Sequence, residues 1–166
     1  MKRLSDKLIE LFNFRIKAEL ESSYLYEAMA VHLAKLGFIN ASKVWRQDAT
    51  SEREHAGWAM DYMLTMDVKP EIPLITKQVQ EFTDLKDIID KTTEHEYLVT
   101  KQCNDLAKAA MLAEDLLTYN FVARKYLVEQ EEELEKCMEM QRLINLYGNT
   151  PDGWIGMEDY FAKKLG

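Results

Sequence analysis

Apolar residues recur along most of the chain at the three- to four-residue spacing of amphipathic helices. Strand-like alternation does not persist, and residues that favour helix (Leu, Met, Ala, Glu and Lys) dominate between the turns. The pattern predicts an all-α fold. We expect four long helices and a short fifth one, over residues 5–36, 39–66, 84–112, 115–147 and 154–165.

Glycine and proline mark where these helices end. Gly37 can end the first helix, whereas Pro70 and Pro73 prevent regular helix in the segment 67–83. A connection of that length can cross a whole helix bundle, so the second and third helices could run parallel. One uninterrupted helix from the third to the fourth segment would be too long for a domain of this size, so we expect a turn near 112–114.

Length and charge narrow the class of protein. The 166 residues suffice for a single domain, 1–166, with a sizeable core. A formal net charge of −8 argues against binding to nucleic acid or an anionic membrane. No apolar run reaches the roughly 18 residues that span a bilayer. The start of the chain is amphipathic and contains acidic residues, unlike a secretory signal, so the expected location is cytoplasmic.

Two cysteines, Cys103 and Cys137, are present without the CxxC spacing of zinc ribbons, rubredoxin-type sites or redox motifs. Both fall at core positions of the predicted helices. The sequence therefore predicts reduced, buried thiols rather than a disulfide framework.

Glu52 and His55 are the most informative pair in the sequence. Residues three apart share one face of a helix, and this pair lies in the apolar stripe of the second predicted helix. Burying a charged carboxylate without a partner is costly. A carboxylate oxygen and an imidazole nitrogen that converge in a dry core indicate a bound metal ion.

The other long helices also carry one inward polar residue each: Glu19, Glu96 and Gln130. The position midway between Glu19 and Glu52 falls beside the turn at Gly37, and the position midway between Glu96 and Gln130 falls at the second predicted turn. Two antiparallel hairpins would thus bring all these groups to one level of the bundle. Carboxylates at such short distances repel one another unless they are protonated or neutralised. Two divalent cations would remove the repulsion. Iron or manganese suits such ligands, with zinc as a non-native occupant.

These residues resemble the ferritin family, and within it the bacterial non-haem ferritins, over essentially the whole chain. The matching stretches are 18–26, 52–55, 94–96 and 128–133. The resemblance implies a ferritin-like four-helix bundle with a long crossover and a short C-terminal helix, packed with identical subunits as a hollow 24-subunit shell. It also implies that Fe(II) is oxidised by O2 or H2O2 at a di-iron ferroxidase centre and stored as a ferric mineral.

The family's site residues map onto this sequence. By resemblance, Glu19, Glu52 and His55 are the ligands of the first iron. Glu52 would bridge to the second iron of the subunit, which Glu96 also holds. Gln130 would lie beside the second iron, and Tyr26, two helical turns after Glu19, matches the tyrosine next to the centre.

Glu129 and Glu133 match two ligands of a third iron site in bacterial ferritins. Ser51 departs from that pattern, because relatives place a glutamate there, and serine cannot replace it as a charged ligand. The third site is therefore expected to be weak. Arg53 stands where bacterioferritins have their haem-ligating methionine, and Gln130 and Glu133 replace their second Glu-x-x-His, so no haem is expected.

Three functions stay open from the sequence. The first is iron storage with ferroxidase activity. The second is a di-iron oxidase or peroxide-scavenging enzyme of the rubrerythrin type, against which the absence of a four-cysteine electron-transfer site and the predicted C-terminal helix both weigh. The third is a purely structural bundle, which would leave the inward carboxylates without an explanation. Particle mass separates the first two, because a shell is far larger than a dimer.

Overall fold

The computed structural model describes residues 3–166 and contains no strand over that range. The helices are α1 Asp6–Leu36, α2 Ile39–Thr65, α3 Leu85–Leu112, α4 Leu116–Val122, α5 Val128–Tyr147 and α6 Pro151–Leu165, with a π-helical turn Ala123–Leu127 between α4 and α5. α4, the π turn and α5 continue into one another as the fourth rod of the bundle. The prediction of an all-α bundle with a short fifth helix is confirmed. No helix in the described residues is long and apolar enough to cross a membrane.

Side-chain caps and one left-handed glycine set several helix boundaries. The Ser5 hydroxyl accepts a hydrogen bond from the Leu8 N–H at 3.2 Å and begins α1. Gly37 ends α1 with a φ of 97°. Glycine adopts this left-handed conformation at little energetic cost because it has no Cβ. The Asp84 carboxylate accepts from the Asp87 N–H at 2.9 Å and begins α3.

α2 is capped from elsewhere in the fold. Its N-cap residue, Phe38, offers no side-chain acceptor. Instead the carboxylate of Glu158 on α6 accepts from the backbone N–H groups of Asn40 at 2.9 Å and Ala41 at 2.8 Å. A carboxylate at a helix N-terminus also interacts favourably with the helix dipole. The short C-terminal helix therefore completes the start of α2, the helix that carries Glu52 and His55.

The connection between α2 and α3 runs along the length of α1. Near its start, the Glu71 N–H donates to Oδ1 of Asn13 at 2.9 Å. Near its end, the ring of Phe82 packs against His32, with centroids 5.5 Å apart. These two α1 residues lie about 28 Å apart along the helix, at 1.5 Å per residue. The segment thus crosses most of the bundle and returns the chain to the end where α2 began, so α2 and α3 run parallel.

The second hairpin turns at residues 113–115, where Glu114 adopts a φ of 56°. Its two arms run antiparallel. Gln141 on α5 donates to Asp90 at 2.9 Å, and Gln130, earlier on the same rod, donates to Glu96 at 3.0 Å. The π turn inserts an extra residue just before Gln130, which changes the direction in which the following side chains project.

α6 begins three residues earlier than the sequence predicted. Pro151 occupies the first turn, where its missing N–H costs nothing, and the Thr150 hydroxyl caps the helix. Gly153 allows the close approach of α6 to the preceding turn, because a Cβ there would stand 1.9 Å from the carbonyl oxygen of Gly148.

The buried apolar side chains form two separate clusters. The first includes Met29, Leu33, Trp45, Ile88 and Ile144. The second includes Phe12, Ile16, Met63, Val99 and Phe121. Buried polar residues from all four rods lie between them, namely Glu19, Glu52, His55, Glu96 and Gln130. The core is therefore interrupted at one level by a layer of ionisable groups.

Candidate metal centre

Glu19, Glu52 and His55 form the centre of the polar layer, and we call them the triad. One ligand atom from each residue lies within 4.8 Å of the others, and all three side chains are buried. His55 Nδ1 is 3.4 Å from Oε2 of Glu52 and 3.8 Å from Oε2 of Glu19. The triad thus presents two carboxylate oxygens and one imidazole nitrogen to a common point.

Glu96 lies in the same layer, but other side chains hold its carboxylate. The Tyr26 hydroxyl donates a hydrogen bond to Oε1. Gln130 Nε2 donates to Oε2 at 3.0 Å, and also to the Thr100 hydroxyl at 3.0 Å. The structure therefore places Glu96, Tyr26 and Gln130 together beside the triad, with the Glu96 carboxylate oriented by two donors.

Burial makes the triad carboxylates resist ionisation. It raises the pKa of Glu19 well above its usual value, against the opposing effect of Arg15. Burial likewise raises the pKa of Glu52 to about 8. At neutral pH both groups are thus biased towards the protonated form, and a cation that binds there displaces protons.

His55 is oriented from both sides of its ring. Burial lowers the pKa of His55, but the carboxylates of Glu129 and Glu19 outweigh it and the net shift is upward. Oε1 of Glu129 lies 3.4 Å from Nε2. With Nε2–H directed to that carboxylate, Nδ1 is left facing the triad oxygens, which is the tautomer a metal ligand requires. The Tyr126 hydroxyl donates to the His55 carbonyl at 2.5 Å, and the Trp58 ring packs 4.4 Å from the imidazole.

The two predicted ligands of the third iron site, Glu129 and Glu133, contact different partners in this structure. Glu129 faces His55, and Glu133 lies 3.7 Å from the ammonium of Lys136, which also contacts Asp48 at 2.6 Å. Burial raises the pKa of Glu133 to about 7. Ser51 is half-buried, and Glu54, one turn along α2, is exposed. Glu54 therefore does not take the place of the glutamate that relatives carry at Ser51, whereas Asp48, one turn before Ser51, contacts the same lysine as Glu133.

Sequence reasoning missed two residues that contact the centre. Arg15 is buried with its Nε 2.8 Å from Oε1 of Glu19. His95 contacts the Ser22 hydroxyl at 2.7 Å and packs edge-on against Tyr26. Arg15 precedes Glu19 by one helical turn, so the periodicity could have placed it on the same face. An arginine in such a stripe usually extends its charge to solvent, which hides the signal.

The donor set fits a divalent cation such as iron. Oε2 of Glu19 is buried without a hydrogen-bond partner among the described residues, although it faces His55 and Glu52. An unsatisfied buried carboxylate oxygen is costly, and a cation would satisfy it. A mixed set of carboxylate oxygens and an imidazole nitrogen suits iron or manganese better than it suits soft metals, which prefer sulfur ligands.

The four-rod fold with a carboxylate–histidine centre between its helices defines a ferritin-like bundle. A family model described as ferritin-like domain matches residues 9–146, most of the chain. The chain belongs to the ferritin family, as the sequence predicted. Membership of this family supports a role in iron storage.

Curated relatives and solved structures agree with this assignment. A bacterial non-heme ferritin of Escherichia coli O6:H1 is 31% identical over 150 residues, covering 90% of each chain. One from Campylobacter jejuni is 29% identical over 162 residues, covering 98% of this chain and 96% of the relative. The crystal structure of an open pore ferritin from Archaeoglobus fulgidus superposes with a TM-score of 0.92 at 27% identity, covering 97% and 98% of the two chains.

Proposed function

We propose that the protein is an iron-storage ferritin with ferroxidase activity, which oxidises Fe(II) at a di-iron centre inside each subunit. The observation that carries the proposal is the triad, a buried set of two carboxylates and one imidazole whose ligand atoms lie within 4.8 Å of one another. Fe(II) is the substrate, and O2 or H2O2 takes up its electrons.

The residues divide into two groups. Glu19, Glu52 and His55 bind the first Fe(II) through carboxylate oxygens and Nδ1. Glu52 and Glu96 bind the second, with Gln130 beside it. Glu19 and Glu52 would give up their protons when the first Fe(II) binds, and their two negative charges would balance that dication.

Tyr26 and Gln130 act on Glu96 rather than on the triad. Their two hydrogen bonds hold its carboxylate in place before the second Fe(II) arrives. Burial raises the pKa of the Tyr26 phenol well above its usual value, so Tyr26 stays a proton donor at neutral pH. Each oxygen of Glu96 has a further lone pair, so the carboxylate can bind the second Fe(II) while these donors keep it oriented.

Glu129 and Glu133 are proposed ligands of a third, weaker iron site. Without a glutamate at Ser51, two carboxylates supply that site instead of three. Their present contacts with His55 and Lys136 would have to give way to the metal.

We further propose that the subunits assemble into a hollow homo-oligomer, the 24-subunit shell of the family, without haem and in the cytoplasm. Large aliphatic side chains stand exposed on several faces of the isolated subunit. They include Ile72, Leu74, Leu112, Leu117, Leu146 and Ile155. Burial between copies would remove them from water. The rubrerythrin-type alternative has no comparable support, because the matched relatives are named as ferritins.

The test is Fe(II) oxidation in air, followed by particle size and iron content of the product. Wild-type protein should oxidise Fe(II) rapidly and retain many iron atoms per subunit in a particle of shell size. Glu52→Ala should lose rapid oxidation and stay assembled, whereas the control Glu54→Ala, on the exposed face of α2, should behave like wild type. An assembled Glu52→Ala protein with unchanged oxidation kinetics would refute the assignment of the centre. A dimeric, iron-poor product would instead favour the rubrerythrin-type function.

A further inference from the structure

Arg15 is a buried charge that the proposed reaction does not explain. Its side chain is 1% exposed. Nη1 donates to Oε1 of Gln102 at 3.0 Å and contacts Sγ of Cys103 at 3.7 Å. Among residues 3–166, Nη2 has no hydrogen-bond partner, and Nε, although 2.8 Å from Oε1 of Glu19, is not aligned for a hydrogen bond. A guanidinium carries five N–H donors, so this one is poorly satisfied for a buried group.

Helix stability does not account for Arg15. An arginine one turn before a glutamate is the less favourable order of an ion pair along a helix. Its neighbours along α1, Phe12 and Ile16, belong to the second apolar cluster. An apolar side chain of similar size would extend that cluster without burying a charge, and such replacements of buried ion pairs are often neutral or stabilising.

Because of Arg15, the two oxygens of the Glu19 carboxylate have different surroundings. Oε1 faces the guanidinium. Oε2 faces His55 Nδ1 at 3.8 Å, and in the described part of the chain no donor is aligned for a hydrogen bond to it. One oxygen is thus occupied by a permanent cation, while the other is directed into the triad.

We propose that Arg15 is a positioning residue that restricts Glu19 to binding metal through Oε2 alone. The inference rests on the proposed metal centre. With Oε1 held by Arg15, the first metal receives one oxygen from Glu19 instead of two. A coordination position then stays open, as metal sites that bind and transform small molecules generally require. Without Arg15, both oxygens of Glu19 would be free to chelate and fill that position.

The first test uses the wild-type protein and Co(II), which does not turn over in air under mild conditions and whose visible absorption reports coordination number. A crystal structure of the Co(II)-loaded protein should retain the contact between Arg15 and Oε1, with Co(II) on Oε2. A metal chelated by both oxygens of Glu19, with Arg15 displaced, would overturn the inference while leaving the metal centre intact. An empty triad would instead overturn the proposed function itself.

The second test compares variants of Arg15 in the visible spectrum of bound Co(II). Arg15→Met fills similar space without charge or donors, so Glu19 should chelate and the absorption should lose intensity as the coordination number rises. Arg15→Lys keeps the charge beside Oε1 and should restore much of the wild-type spectrum. Arg46→Met, which removes an exposed arginine on α2 away from the triad, is the matched control. Identical spectra for wild type and a folded, assembled Arg15→Met protein would refute the positioning role.

Discussion

Replacing Glu52 by glutamine is expected to stabilise the metal-free protein at the expense of metal binding. Burial raises the pKa of Glu52 from 4.5 to about 8 in the folded state. Between these values the folded protein binds a proton that the unfolded chain has released, so the stability of the wild-type protein falls as pH rises from about 4.5 to 8. Glutamine keeps the shape of the side chain and removes this titration.

The expected size of the effect follows from the shift. Between pH 5 and pH 8, the raised pKa of Glu52 lowers the free energy of unfolding of the wild-type protein by about 3 kcal/mol. Glu52 also raises the pKa of Glu19 through a hydrogen bond and through its charge, so the two carboxyls titrate as a pair and the comparison measures what that pair loses with Glu52. For a chain of this length, about 3 kcal/mol corresponds to roughly 6–12 °C in melting temperature. The advantage of Glu52→Gln should thus be small at pH 5 and large at pH 8.

Calorimetry of the chelator-treated proteins at pH 5 and pH 8 measures the difference. Glu54→Gln, an exposed change on the same helix, is the control and should follow wild type at both values. Adding Co(II) at pH 8 should reverse the order, because a ligand of the folded state stabilises wild type more than a variant that binds it poorly. A difference between Glu52→Gln and wild type that does not grow with pH would refute the assignment of a raised pKa to Glu52.

Three further predictions concern other parts of the molecule. Tyr26→Phe removes a hydrogen bond to Glu96, so stopped-flow measurements should find slower Fe(II) oxidation, while Tyr24→Phe, on an exposed tyrosine, should leave the rate unchanged. Ser51→Glu supplies the carboxylate that the proposed third site lacks and should change the ratio of iron oxidised to oxygen consumed; an unchanged ratio would argue against a role for this proposed site. Gly153→Ala would place a Cβ against the Gly148 carbonyl and should cost at least about 2 kcal/mol in denaturant unfolding. Gly57→Ala, at an open mid-helix position, should instead stabilise by roughly 1 kcal/mol.

The general position of the candidate centre was predictable because the spacing of residues along a helix determines the direction in which their side chains point. Glu52 and His55 share a face at a spacing of three, and the predicted turns placed Glu19 and Glu96 at the same level. The exact partners were not predictable in the same way. Glu96 is held by Tyr26 and Gln130 instead of facing the triad, and only side-chain packing determines that choice.

Two features left no usable signal in the sequence. The π turn Ala123–Leu127 consists of residues that are also found in ordinary α-helix, so the fourth rod was expected as one regular helix over 115–147. Arg15 was hidden for a different reason. Arginine side chains are long enough to reach solvent from many positions, and its burial depends on Gln102 and Cys103 of α3, which are remote in sequence.

The hairpin of α1 and α2 has a consequence for how the chain folds. All three triad ligands lie on these two adjacent helices, which are joined by a tight turn at Gly37. Contacts between these adjacent helices close a short loop and form early. α3 and α5 dock later, because the long segment between α2 and α3 must first cross the bundle. If the triad binds metal as proposed, a dication present during folding can be captured by the first hairpin alone, before Glu96 and Gln130 arrive. Metal in the refolding buffer should then accelerate the early, local phase of folding rather than the final docking of the second hairpin.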